Sequence, residues 1–110
     1  MMTRLPKTSC TVSAVAMLVV AVVAAGCTQV REDATGPEIY VSSCARCHGT
    51  DLQGGVGPAL GAGSAVASQP DEYLLTTIAR GKGRMPSFAR ALSEQQIARV
   101  VAHIREEQGG

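Results

Sequence analysis

A short motif near the middle of the chain constrains its fold more than any other feature. It consists of Cys44, Cys47 and His48, with two residues between the cysteines and the histidine directly after the second. C-x-x-C-H is the attachment pattern of haem c, in which both thiols form thioethers with the haem vinyl groups. The spacing suits one helical turn and leaves His48 in position to bind the iron. The motif therefore predicts one covalently bound haem c, with His48 as an iron ligand.

Two other uses of a cysteine pair remain open at this point. A zinc site would need a fourth ligand, and His103 is the only other histidine in the sequence. A thioredoxin-like dithiol would need a preceding strand and a βαβ pattern, and the sequence shows neither. Haem attachment is the preferred interpretation.

Length and composition indicate a single small domain with a limited core. The chain has 110 residues and a formal net charge of +1, and its basic residues form no run that would indicate nucleic-acid binding. Its only aromatic residues are Tyr40, Tyr73 and Phe88. A core this small is marginal, so we expect the haem to supply missing apolar bulk and the haem-free domain to be largely unfolded.

Residues 1–26 have the pattern of an export signal. Basic residues come first, and the apolar run from Val12 to Ala25 is shorter than the about 20 residues that span a membrane. The residues Ala24-Ala25-Gly26-Cys27 resemble a bacterial lipobox, which implies cleavage before Cys27 and a diacylglycerol thioether on its sulfur. An uncut N-terminal membrane anchor and cleavage by the ordinary signal peptidase are the alternatives.

We expect three parts: a signal peptide over 1–26, a short tether over 27–34 and a haem domain over 35–110. The seven residues from Thr28 to Ala34 reach about 25 Å when fully extended. Helix-start signals, among them two capping boxes, predict three helices in the domain. The predicted helices are Thr35–Cys47, Gln69–Arg80 and Ser93–Gln108, with a glycine-rich loop over Asp51–Ser68.

A second motif contains Met85, which precedes Pro86 in a loop rich in glycine and basic residues. A thioether sulfur is a soft ligand that suits haem iron, although a methionine can also fill a gap in a core. Because such a loop is a poor place for a core methionine, we predict that Met85 is the second iron ligand. His103 lies roughly 110° from the centre of the apolar stripe of the last helix, which predicts a flank residue rather than a ligand.

With these motifs placed, residues 36–107 resemble class I cytochrome c in its small bacterial single-haem form. The resemblance implies an all-α fold of three to four helices wrapped around one haem, with the first and last helices crossing near a right angle. It also implies that the carbonyl of Pro58 accepts a hydrogen bond from His48. The family often has a tyrosine where His103 stands. The segments that carry the resemblance are Gly36–Tyr40, Cys44–Gly49, Gly57–Leu60 and Met85–Phe88.

The resemblance implies a non-enzymatic electron carrier with His48 and Met85 on the iron. Its partners would be redox proteins such as a membrane oxidase, reductase or dehydrogenase. Two alternatives are a haem enzyme or gas- or peroxide-binding protein with an open sixth position, and a fixed subunit of an oxidase or dehydrogenase complex. The signal and tether predict a location on the periplasmic or outer-surface side of a bacterial membrane, held by a lipid or an N-terminal anchor.

Three basic residues near the second motif belong to the same hypothesis. Lys82, Arg84 and Arg90 lie close to the exposed haem edge in the family, where they would steer an acidic partner. The alternative is ordinary solvated surface charge.

Overall fold

The computed structural model describes residues 29–110, and these contain α-helices and no β-strand. The signal peptide over 1–26 and the lipidation site Cys27 lie outside the described residues and stay predictions. No helix within residues 29–110 combines the length and apolar character needed to cross a membrane. The all-α fold is confirmed. Its helices are α1 (Gly36–Ser43), α2 (Ala45–His48), α3 (Asp71–Arg80) and α4 (Glu94–Glu107), with a 3₁₀ turn at Ala65–Ser68.

The first predicted helix is divided into α1 and α2. Thr35 and Glu38 form the expected capping box at the start of α1. Cys44 has φ −119°, far from the about −63° of a regular helix, so the axis bends there. The hydrogen-bond pattern is interrupted at the bend. Cys44 N donates to the oxygen of Tyr40 at the end of α1, and the next bonds, from Cys47 N and His48 N, both go to the oxygen of Cys44. The bend gives the haem motif a short helical turn of its own.

Helix α3 begins slightly later than predicted and ends where expected. Pro70 occupies the cap position before the helix, and Asp71 and Glu72 fill the first turn, where the positive end of the helix dipole favours acidic side chains. Gly81 ends the helix with φ 76°, in the left-handed region that favours glycine.

Helix α4 packs against α1 through the apolar stripe that the sequence predicts. Ser93 and Gln96 form the second capping box. Gly36 allows the two helices to meet closely, because a Cβ there would overlap the backbone oxygen of Arg99 and lie 2.9 Å from the Cβ of His103. The buried residues of the stripe are Ile97, Val100, Val101 and Ile104.

His103 lies on the flank of α4 and contacts the ring of Tyr40. The two ring centroids are 5.5 Å apart with an interplanar angle of 63°, an edge-to-face arrangement. The imidazole thus takes the role of an aromatic side chain between α1 and α4.

The C-terminal end of α4 fixes the long loop that follows the haem motif. Arg105 donates Nε to Asp71 Oδ1 at 2.7 Å and Nη1 to Gln108 Oε1 at 2.7 Å. Gln108 donates Nε2 to the backbone oxygen of Leu60 at 2.7 Å. These contacts hold the loop against both α3 and α4.

Candidate haem-binding site

The two motif cysteines lie on either side of the start of α2. Cys44 is buried, Cys47 is exposed, and both are free thiols. Burial, together with the neighbouring charge of Cys47, raises the pKa of the Cys44 thiol to about 11. Redox-active dithiols depend on a lowered cysteine pKa, so this environment does not favour a dithiol switch.

A zinc site also gains no support from the described residues. Within residues 29–110, no group of three or more histidine, cysteine, aspartate or glutamate side chains is placed to hold a metal ion. His103 contacts Tyr40 between α1 and α4 rather than completing a ligand set with the motif cysteines.

The imidazole of His48 is oriented by the loop that follows it. His48 is buried, and its Nδ1 lies 2.8 Å from the backbone oxygen of Pro58. A carbonyl oxygen can only accept, so Nδ1 is the nitrogen that carries the proton. Nε2 then keeps its lone pair for a metal. A hydrogen bond of this kind fixes the ring and raises the basicity of a ligating histidine.

The backbone at Gly57 passes directly against the same ring. A Cβ built on Gly57 would lie 2.9 Å from His48 Cε1 and 3.0 Å from its Nδ1, closer than real side chains approach. Glycine therefore lets the chain reach Pro58 without displacing the imidazole.

Backbone hydrogen bonds connect this loop to the motif. Gly57 N donates to the oxygen of Cys47 at 2.8 Å, and Gly54 N donates to the oxygen of His48 at 2.7 Å. Leu52 has φ 58°, unusual for a residue other than glycine, and its buried side chain is part of the core. Its oxygen accepts from Leu60 N at 2.9 Å. The sequence carried no signal for this role of Leu52.

Tyr40 supports the motif from the side of α1. Its hydroxyl donates to the backbone oxygen of Gly49, the residue after His48, at 2.7 Å. Tyr40 is among the most deeply buried side chains, and burial is the main cause that raises its pKa to about 12. The sequence carried no signal for this hydrogen bond.

Met85 lies in a tight turn at the end of α3. Its backbone exchanges two hydrogen bonds with Lys82, each of 3.0 Å. Gly81 is required there, because a Cβ at its φ of 76° would lie 2.6 Å from the oxygen of Met85. Phe88 N also bonds to the oxygen of Ile78 at 3.0 Å. The turn thus holds Met85, half-buried, against the hydrophobic core.

The three basic residues near this turn are exposed. Lys82 Nζ donates to the hydroxyl of Tyr73 at 3.0 Å, which lowers the pKa of Tyr73 and raises that of Lys82. Arg84 and Arg90 project from the turns on either side of Pro86.

The donor set fits haem c. It offers two free thiols at the required spacing, an imidazole with Nε2 available and a thioether sulfur, which are the ligand types found in this class of haem protein. Both Cys44 and His48 are buried. The loop beside them has no room for a side chain larger than that of glycine at Gly57.

Comparison with known proteins supports this interpretation. Residues 31–104 match the family model described as "Cytochrome C oxidase, cbb3-type, subunit III". Cytochrome c55X of Stutzerimonas stutzeri is 36% identical over 75 residues, covering 66% of this chain and 66% of that protein. Cytochrome c-551 of Bacillus subtilis is 38% identical over 68 residues, covering 61% of this chain and 55% of that protein. The matches therefore span less than two thirds of these relatives' own lengths.

A solved structure described as the c-type cytochrome NirC has the same fold. It superposes with a TM-score of 0.58 at 33% sequence identity, over 64% of this chain and 85% of that chain. The fold, the motif and the matches together define a small helical haem protein. The chain belongs to the class I c-type cytochromes, which bind one covalent haem c, and its Cys44 and Cys47 have the spacing of the haem-attachment motif.

Proposed function

We propose that this chain is a one-electron carrier in which His48 and Met85 bind the haem iron on opposite sides. The observation that carries the proposal is the 2.8 Å contact between His48 Nδ1 and the oxygen of Pro58. It leaves Nε2 as the only ring nitrogen able to bind iron. The haem supplies a one-electron couple between Fe(III) and Fe(II).

The protein's contribution is to keep both ligands in place when the charge of the iron changes. The backbone oxygen of Pro58 fixes the ring of His48 through its hydrogen bond to Nδ1. The backbone hydrogen bonds between Lys82 and Met85 fix the turn that carries the thioether sulfur. A thioether ligand favours the reduced state and raises the potential. With His48 and Met85 as its two ligands, the iron would have no position left for a substrate, which favours transfer over catalysis.

The test is a redox titration combined with a cyanide challenge. We expect the wild-type protein to titrate as a single one-electron couple and to bind cyanide slowly. Met85→Ala should bind cyanide readily and have a lower midpoint potential, because the sulfur ligand is lost. Leu75→Ala is the matched control, since it shortens another half-buried apolar side chain of the same core.

A different result would favour an enzyme or a gas- or peroxide-binding protein. In that case the wild-type ferric haem would be high-spin and would bind cyanide as readily as Met85→Ala does.

The second candidate is a fixed electron-transfer subunit of a membrane complex. It is favoured by the family match over residues 31–104, whose description names a subunit of an oxidase. Co-purification of the haem-containing chain with a larger complex in mild detergent would support this candidate. A haem-containing chain that migrates alone would support a free electron shuttle.

The membrane attachment at Cys27 is part of the same proposal. The lipobox-like residues Ala24 to Cys27 support a diacylglycerol thioether, with an uncut N-terminal anchor as the alternative. Either would hold the domain on the exported side of a bacterial membrane. Mass spectrometry of the mature N-terminus tests it, and an unmodified Cys27 would exclude the lipid.

Partner steering by Lys82, Arg84 and Arg90 is a further part of the proposal. All three are exposed, but Lys82 already bonds to Tyr73. Steering predicts that the rate of electron transfer to an acidic partner falls as ionic strength rises. A rate that does not change with salt would leave these residues as solvated charge.

A further inference from the structure

The chain immediately before α1 lies along α4. Three consecutive backbone oxygens, those of Val30, Arg31 and Glu32, accept hydrogen bonds from α4 side chains. Gln96 donates Nε2 to the oxygens of Val30 at 3.4 Å and Arg31 at 2.9 Å. Arg99 donates Nη2 to the oxygen of Glu32 at 2.8 Å.

Burial reinforces these hydrogen bonds. Ala34 is 4% exposed, and its N–H bonds to the oxygen of Arg31 at 3.0 Å. Val30 is half-buried against the hydrophobic core. Gln96 is only 2% exposed, and its Oε1 accepts from Ser93 N at 2.8 Å, so both ends of its amide are used. These contacts resemble those of a folded part of the domain and not those of a free linker.

We propose that residues 30–34, here called the docked segment, shorten the membrane tether to Thr28 and Gln29 and so hold the haem domain close to the bilayer in a narrow range of orientations. This rests on the lipid attachment at Cys27 proposed above. Seven free residues would reach about 25 Å, whereas two reach about 7 Å. The side of the domain that faces the lipid is then the N-terminal half of α4.

The short tether, rather than lipid binding by charge, sets this orientation. Arg31 forms ion pairs with Asp33 at 3.1 Å and with Glu38 at 3.6 Å, and Glu32 adds a further negative charge. The docked segment therefore offers no excess of positive charge for anionic lipid head groups. A carrier restricted in this way suits a redox partner fixed in the same membrane better than one in solution.

Trypsin provides a direct test, because Arg31 is the only basic residue between Cys27 and the start of α1. Membranes containing the haem-loaded full-length protein are digested briefly. Release of haem into the supernatant is followed together with the mass of the fragment that begins at Glu32. Cleavage requires the docked segment to leave α4, so the wild-type protein should be cut slowly after Arg31.

The test variant combines Gln96→Glu with Arg99→Met. The new carboxylate still accepts from Ser93 N, so the capping box stays intact, while the donors to the three backbone oxygens of the docked segment are lost. The exposed 3.4 Å contact from Ser93 Oγ to Glu32 Oε1 remains in both proteins. We expect cleavage after Arg31 to become at least about ten times faster. Arg80→Met, which removes an exposed arginine from the end of α3, should match the wild type. Equal rates for the wild type and the double variant would overturn the proposal.

The experiment tests the membrane attachment and the docking of residues 30–34 independently of each other. If wild-type haem is in the supernatant before trypsin is added, the attachment is wrong and the proposal falls with it. The rate at which the fragment beginning at Glu32 appears then still shows whether the segment is docked. An unchanged haem spectrum in the double variant verifies that its domain is folded.

Orientation itself is measured by linear dichroism of the haem in stacked oriented membranes. The wild type should give a clear dichroic signal, and the double variant a signal at least about two-fold smaller. A wild-type haem without dichroism would contradict the restricted orientation even if cleavage after Arg31 is slow.

Discussion

The imidazole of His48 is confined from two directions by neighbouring residues of one loop. Pro58 accepts its Nδ1 proton, and Gly57 leaves the space in which the ring lies. Neither contact can be predicted from the spacing of apolar residues along the chain. The resemblance to class I cytochromes c pointed to Pro58, whereas the need for a glycine at position 57 follows only from the packing of backbone against ring.

Gly57→Ala should displace His48, because the new methyl group would lie within 3.0 Å of the ring. We expect the free energy of unfolding to fall by about 1–3 kcal/mol, as for other overpacked sites, with a shift in midpoint potential. Gly55→Ala is the control, since its nearest neighbour would be the oxygen of Cys47 at 3.4 Å. Equal effects of the two substitutions in denaturant titrations would show that the ring is not confined in this way.

Tyr40→Phe removes the hydroxyl that bonds to the oxygen of Gly49. The half-buried carbonyl of Gly49 loses its partner, so we expect a loss of about 1–2 kcal/mol in the free energy of unfolding. Tyr73→Phe removes an exposed hydroxyl that bonds to Lys82 and should cost less than about 0.5 kcal/mol. Denaturant titrations of both variants check the prediction, which fails if Tyr73→Phe is the more damaging.

The same hydroxyl should make stability fall at high pH. Burial raises the pKa of Tyr40 to about 12 in the folded protein, while an unfolded tyrosine ionises near about pH 10. The contribution of Tyr40 is therefore complete below about pH 10 and is lost as the pH rises towards 12. Unfolding measured at about pH 9 and about pH 11 should show a larger loss for the wild type than for Tyr40→Phe. Equal losses would contradict the raised pKa.

At the scale of elements, the contact between α1 and α4 is the most closely packed part of the described fold. Gly36 lies against the backbone of Arg99, and His103 packs edge-to-face on Tyr40. The sequence predicted both capping boxes and the buried stripe of α4, because caps and periodicity are local signals. It did not predict the bend at Cys44, because no glycine or proline marks it in the sequence.

Gly36→Ala should separate the two helices. The added Cβ would overlap the oxygen of Arg99 and press on His103, so we expect a loss of about 2–3 kcal/mol in the free energy of unfolding. Gly61→Ala places its Cβ 3.7 Å from Leu52, an ordinary contact, and should be close to neutral. Thermal unfolding followed by circular dichroism checks both, and a neutral Gly36→Ala would mean that the helices do not meet this closely.

For the whole molecule, the haem is expected to act as part of the core. The described residues bury few large side chains, of which Tyr40, Ile39 and Val100 are the most enclosed. A variant with Cys44→Ala and Cys47→Ala cannot attach the haem covalently and should lose most of its helical signal in circular dichroism. A cooperatively folded haem-free protein would show that the polypeptide core is sufficient.

The haem motif, the end of α3 and the capping boxes of α1 and α4 could be predicted because each depends on residues close together in sequence. The all-α fold was implied by the resemblance to class I cytochromes c. The positive φ of Leu52, the hydrogen bond from Tyr40 to Gly49 and the docked segment could not be predicted, because each depends on contacts that form only on folding, such as that between Gln96 and Arg31.

The proton spectrum of the reduced protein tests the central claim, that His48 and Met85 close the haem iron from both sides. A methionine bound to low-spin Fe(II) holds its methyl group over the porphyrin ring, where the ring current shifts the methyl signal far upfield. Met85 is the only methionine after residue 17. We expect one such three-proton signal in the wild type and none in Met85→Ala. A reduced wild-type protein without this signal would contradict it.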